Sequence, residues 1–435
     1  MKKDIIYKEI SPNYWVLYNK NTGETLFAKG RINRFDPDKI NFIIKQKKKK
    51  FDARLFFSTI VINTTEACNL RCRYCSRHKE NYKKEKTITD DVLYTILTKA
   101  IKYAKLIKNR TVIQFHGGEP LIIFEKIKRS LQKIKKSELR HLDLRIQTNG
   151  TLITDDILKF CIKYNIHLGI SIDGPPEING INRRFADGSP VSNLLEEKIN
   201  KVKNRLPRNH VSCLSVLTKA NINDAKKVFN YVLKNKINDV SFLPLYPDFS
   251  NCINVAKDVI PRTKDAVSFS NKIFDLWIKR LKNNNFISVP NFQIWIWNLL
   301  GKNAGYITNN TSCGVGQSMI FIDTDGEIYP CGPFSYKKNM SMGNIKNMNI
   351  EQIKKTKIFQ LFNRRKTIMI DKCKDCALQG ICLGGCPANS YRKYKDIYKR
   401  DPFCPYWKGV IKHIIKAVID NPETCNQIPE FSIRL

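Results

Sequence analysis

Beyond residue 50 the chain repeats one pattern of apolar and polar positions. Short, mostly apolar runs at 56–63, 111–115, 142–147, 166–172, 211–217 and 239–243 alternate with longer stretches at 89–106, 122–134, 155–164, 192–204 and 223–233. The short runs predict strands, and the long ones, apolar at every third or fourth place, predict amphipathic helices. Six such alternations predict a parallel sheet with helices outside it. That geometry gathers functional loops at the C-terminal ends of the strands. Ahead of the array, Tyr14-Trp15-Val16-Leu17-Tyr18 and Glu24-Thr25-Leu26-Phe27-Ala28 flank Asn19-Lys20-Asn21-Thr22-Gly23, a hairpin signal. Lys45 to Lys50 reads as a charged linker.

A chain of 435 residues is long enough for two or three domains. Its 76 Lys and Arg against 39 Asp and Glu give a formal charge of +37. Nucleic acid is the obvious partner for so basic a protein, yet the basic residues form no single stripe. A compositional bias towards Lys, Asn and Ile explains the charge without function, and an acidic peptide partner is the functional alternative. No run approaches the roughly 18 apolar residues of a membrane span, and Met1 to Glu9 contains no signal-peptide core. A soluble, cytoplasmic protein is expected.

The 14 cysteines change the picture. In a chain this long, closely spaced thiols favour metal or cluster ligation in a reducing compartment over disulfides. Cys68, Cys72 and Cys75 follow the first predicted strand in a Cys-x3-Cys-x2-Cys loop. A structural zinc site wants four ligands and usually carries Cys-x2-Cys pairs. A four-iron four-sulfur cluster also takes four cysteines, so three thiolates leave one iron open. This spacing resembles that of the radical S-adenosylmethionine (SAM) enzymes. The resemblance implies that the open iron chelates SAM and that the cluster cleaves it to a 5'-deoxyadenosyl radical.

A second field, Cys313, Cys331, Cys373, Cys376, Cys382, Cys386 and Cys404, resembles the seven-cysteine pattern of the SPASM domain, which extends radical SAM enzymes acting on peptides and proteins. By resemblance, Cys373, Cys376, Cys382 and Cys404 close one auxiliary cluster, while Cys313, Cys331 and Cys386 hold another. A water, a non-cysteine side chain or a substrate sulfur could fill the position left open in the latter. Three 4Fe-4S clusters are therefore expected.

The remaining motifs stand at the ends of predicted strands. His116-Gly117-Gly118-Glu119-Pro120 follows the second, Thr148-Asn149-Gly150-Thr151 the third and Ser171-Ile172-Asp173-Gly174-Pro175 the fourth. Two adjacent glycines let backbone approach a ligand closely. As turn chemistry alone, each motif would be ordinary. The family resemblance implies that Gly117, Gly118, Glu119, Asn149, Ser171 and Asp173 help to hold SAM. Tyr74 either flanks the adenine or belongs to the core. For His116 a structural role is expected before a catalytic one, and of the spare thiols Cys252 alone lies near the expected barrel mouth.

The resemblance implies a partial (β/α)6 barrel over 51–300 and a SPASM domain over 301–410, which leaves a tail over 411–435 and the N-terminal hairpin element over 1–50. The last is either a leader-peptide recognition region or packing for the barrel. The segments Ser171 to Pro175 and Asn182 to Ser189 look like those of peptide maturases and sulfatase-maturating enzymes. The latter carry an acidic base directly after the cysteine that Cys331 matches, where this chain has Gly332-Pro333. The reading is a peptide maturase forming a thioether or carbon-carbon crosslink, with a precursor peptide or protein as substrate and flavodoxin or ferredoxin as electron donor. Sulfatase maturation and peptide epimerisation are the alternatives within the enzyme class. A nucleic-acid-binding iron-sulfur protein is the alternative outside it.

Overall fold

The computed structural model describes residues 5–19, 25–29, 42–46, 56–76, 86–245, 255–283, 285–300, 314–316, 318–335, 337–422 and 428. They divide between two compact units. One is drawn from Met1–Arg54, Val267–Gly314 and Arg364–Ile433, the other from Leu55–Ala266 and Val315–Asn363.

In the first unit the expected hairpin forms and is extended on both sides. Strands β1 (Ile5–Ser11), β2 (Tyr14–Asn19), β3 (Thr25–Lys29) and β4 (Phe42–Gln46) make an antiparallel sheet in that order. Lys45, expected in a linker, stands in β4 opposite Leu26. Phe42-Ile43-Ile44 carries the strand into the charge run, and residues 47–50 lie outside the described residues. Against this sheet packs the helix Cys404–Asp420, which buries Val410, Ile411, Ile414, Ile415, Val418 and Ile419 along one stripe. Its last residue anchors the sheet, since Asp420 accepts a hydrogen bond from the Tyr14 hydroxyl at 2.8 Å and meets the Lys29 ammonium at 2.5 Å. Residues 411–420, expected as tail, are thus the body of a packed helix.

In the second unit β5 (Thr59–Asn63), β6 (Thr111–His116), β7 (Leu142–Thr148), β8 (His167–Ser171), β9 (Val211–Leu217) and β10 (Val240–Pro244) run parallel, each beside its predecessor. They are the six predicted strands within a few residues. Helices connect them at the predicted places, and Thr89 and Thr154 cap Asp90–Leu106 and Asp155–Tyr164 through their hydroxyls. Two strands were not foreseen. β11 (Met319–Ile322) adds to β5 in parallel and β12 (Ile328–Tyr329) pairs with β11 in antiparallel, so the sheet reads β10-β9-β8-β7-β6-β5-β11-β12 and stays open. It is the expected partial barrel, carried on by the chain that enters the second cysteine field. Asn63 secures the junction by donating its side-chain amide to Asp323 at 2.7 Å. Among the described residues no helix is long and apolar enough to cross a membrane.

Candidate active site and cysteine centres

The loop bearing Cys68, Cys72 and Cys75 leaves the C-terminal end of β5 and is held from two directions. From β6, the amides of Gly118 and Glu119 donate to the carbonyls of Thr65 and Ala67 at 2.7 and 2.8 Å. A Cβ on Gly118 would lie 2.0 Å from the Ala67 carbonyl oxygen, and one on Gly117, at φ +148°, 2.4 Å from that of Thr65. The clearance that two glycines provide is therefore taken up by the cysteine loop itself. From the segment after β8, the carbonyls of Asn182 and Arg184 accept the amides of Arg73 and Arg71 at 2.9 and 2.7 Å.

Side chains complete the mounting. Glu119 is fully buried and accepts from the Leu121 amide, the Thr148 hydroxyl and the Asn149 amide at 3.0, 2.7 and 2.7 Å, fastening the end of β7 to that of β6. Burial pushes its carboxyl above the usual range, against the pull of those donors. Asn149 donates to Asn69 at 2.8 Å and turns the same amide towards the Cys68 sulfur at 3.9 Å. The Leu70 amide donates to that sulfur at 3.4 Å. Ser171 accepts from Gln147 at 3.3 Å, and His116 takes the Gly117 amide on Nδ1 at 2.7 Å, the structural role expected of it.

Tyr74 packs with Leu245, Val255 and Val259, so its ring belongs to a core cluster, against which Cys72 also lies. Its hydroxyl donates to Asp173 at 2.6 Å and accepts from the Arg183 guanidinium at 2.7 Å. Asp173 also takes the Val216 amide at 2.9 Å. Arg183 is 4% exposed, although nothing in its sequence spacing marks a buried arginine. Burial works against its charge, but Tyr74, Cys72 and Asp173 more than restore it. Burial likewise pushes the Cys72 thiol up to about 12, and Arg183 opposes that rise. Since iron binds thiolate and not thiol, this cation favours the ligating form. The three thiols on one braced loop therefore suit a cluster.

In the first unit Cys373, Cys376, Cys382 and Cys404 line one cavity, with Asp401, Trp407, Arg400 and Lys408 also at its wall. Burial raises the thiols of Cys373 and Cys382, and the neighbouring cysteines add to the rise, Cys373 reaching about 11. The four thiols assigned to a closed cluster thus surround one space. Among the described residues no three Cys, His, Asp or Glu side chains converge as a single metal ion would require. A cubane instead distributes its cysteines over separate iron corners. Of the other set, Cys313 lies outside the described residues, while Cys331 and Cys386 fall in different units. Cys161 and Cys213 are buried, and Cys252 lies outside the described residues.

Comparison with known proteins identifies the domains that carry these cysteines. Residues 62–241 match the family model of the radical SAM superfamily and residues 313–377 that of the SPASM iron-sulfur cluster-binding domain. The cysteine-type anaerobic sulfatase-maturating enzyme of Clostridium perfringens strain 13 is 25% identical over 83% of this chain and 97% of its own. The radical SAM cyclopropyl synthase TigE of Paramaledivibacter caminithermalis is 25% identical over 86% of this chain and 77% of its own. The solved structure of native anSMEcpe with bound AdoMet and Kp18Cys peptide shares the fold, with a TM-score of 0.72 at 24% identity over 85% of this chain and 99% of that one.

Proposed function

We propose, on the premise that this chain is a member of the radical SAM superfamily carrying a SPASM domain, that it matures a ribosomally made peptide by crosslinking it. When bound, the cluster on Cys68, Cys72 and Cys75 supplies the electron that splits SAM, and the auxiliary clusters supply an acceptor for the substrate's second electron. The chain's own part is to mount and to shield. Gly117, Gly118 and Glu119 fix the cysteine loop to β6, Asn149 steers an amide towards Cys68, and Arg183 keeps a positive charge beside Cys72. In this reading Gly117, Gly118, Glu119, Asn149, Ser171 and Asp173 border the SAM site, and Tyr74 supports Asp173 through its hydroxyl. A crosslink would cost the peptide two hydrogens, one leaving as an atom to the radical that SAM would supply and one as a proton with an electron that an auxiliary cluster would accept.

The cavity lined by four cysteines is the observation that carries the reading beyond SAM cleavage, because four thiols around one space would close a centre suited to electron transfer. An acidic flavodoxin or ferredoxin fits a chain of charge +37 as electron donor. The relatives favour a second reading, oxidation of a sulfatase side chain to formylglycine. Gly332 weighs against it, since no carboxylate stands there and a Cβ would meet the Phe321 ring at 3.3 Å.

The test is anaerobic reconstitution with SAM, a reductant and candidate peptides encoded beside the gene. Formation of 5'-deoxyadenosine, lost when Cys68, Cys72 and Cys75 are replaced by alanine, supports radical chemistry; undiminished cleavage in that triple variant refutes it. A peptide lighter by two hydrogens and silent to an aldehyde-reactive probe supports crosslinking. Reaction of a sulfatase peptide with the probe instead assigns formylglycine formation.

A further inference from the structure

Asp401 stands three residues before Cys404, is 1% exposed and forms part of the wall of the four-cysteine cavity. Its Oδ2 accepts from the Cys386 amide and the Trp407 indole, both at 2.8 Å. Its Oδ1 accepts from the Phe403 amide at 2.8 Å and the Asn389 side-chain amide at 3.4 Å. All four partners are donors. Only an ionised carboxylate can accept from all of them, since a protonated or amidated one would turn a hydrogen towards another hydrogen. Phe403 directly precedes Cys404, and Cys386 belongs to the other assigned centre. Gly385, directly before Cys386, is at φ +68°, and a Cβ there would lie 2.6 Å from both Cβ and Oδ2 of Asp401. The Cys386 backbone thus closes onto this carboxylate through an amide and through the space a side chain would need.

We infer that Asp401 is a positioning residue of the four-cysteine centre, a buried anion that locks the loop of Cys386 to the loop of Cys404. The inference rests on the cluster assignment proposed above. A buried negative charge opposes the arrival of an electron nearby, and the hydrogen bonds it accepts weaken that opposition. The same carboxylate therefore sets the loop geometry and biases the reduction potential of a cluster held in that cavity downwards.

The experiment uses the full chain with Cys68, Cys72 and Cys75 replaced by alanine, so that only auxiliary centres are titrated. Iron content and redox titration followed by electron paramagnetic resonance compare this parent with its Asp401→Asn and Trp407→Phe derivatives. Asp401→Asn removes the charge and should raise the midpoint potential of the four-cysteine centre. Trp407→Phe keeps a ring but removes one donor, leaving the charge less neutralised, and should lower that midpoint while iron stays at about eight per chain. These opposed shifts would not follow from a purely structural role. Should Asp401→Asn fail to fold, Trp407→Phe alone carries the sign. Midpoints unmoved in both variants, or moved in the same direction by both, overturn the inference. A parent that never holds more than about four irons overturns the cluster assignment itself, so the two failures are distinguishable.

Discussion

Arg183 shows how a single side chain sets the character of the site. Its guanidinium is almost wholly buried, reaches the Tyr74 hydroxyl at 2.7 Å, and through it meets a buried Asp173. Removing one member of a buried charged set leaves the other stranded, at a cost of about 3 to 5 kcal/mol. Arg183→Met should therefore lower the urea midpoint of the iron-free protein, and adding Asp173→Asn should recover part of the loss because the stranded charge is gone. A single variant unfolding at the parent's midpoint would show that the three groups are not coupled. Neither residue type nor spacing announced this set. Asp173 was legible as part of an Asp-Gly-Pro turn, whereas its partners come from the cysteine loop and from the segment after β8.

At the scale of elements, the decisive contact is the docking of the Gly117-Gly118 turn on the cysteine loop. Both glycines are needed for clearance from backbone, which cannot swing aside as a side chain can. Gly118→Ala should force the turn and the loop apart. Misplacement on the order of 1 Å is enough to lower a rate about 100-fold, so 5'-deoxyadenosine formation should fall by about that factor while auxiliary iron is retained. Unchanged turnover would mean that the loop accommodates the methyl group and that its docking does not fix the geometry. The unforeseen strand β11 works at this scale too. Only four residues long, it owes its place to pairing with β5, a partner distant in sequence, and a run that short has no periodicity of its own to read.

For the whole molecule, the division into units changes what the N-terminal segment is expected to do. The four-stranded sheet shares a unit with the four-cysteine cavity and packs on the helix that begins at Cys404, through Tyr14, Lys29 and Asp420. Deleting residues 1–50 should accordingly release the iron of that centre, about four atoms per chain, and expose the apolar stripe of the helix. Metal analysis of the truncated chain provides the check. Full iron retention together with loss of activity on a leader-bearing peptide would favour a recognition role for the sheet over a structural one.

The sequence by itself determined the six parallel strands, most of their helices and the two cysteine fields. These are local signals: a strand or helix period persists within its own segment, and thiol ligands of a loop are close because they are covalently close. Only the tertiary structure decided which polar groups become buried partners. Asp173 with Tyr74 and Arg183, Glu119 with Thr148 and Asn149, and Asp401 with Cys386 and Trp407 are joined by the packing of separate elements. Burial then gives those contacts their strength, because a charge removed from water must be satisfied by whatever the fold brings within reach.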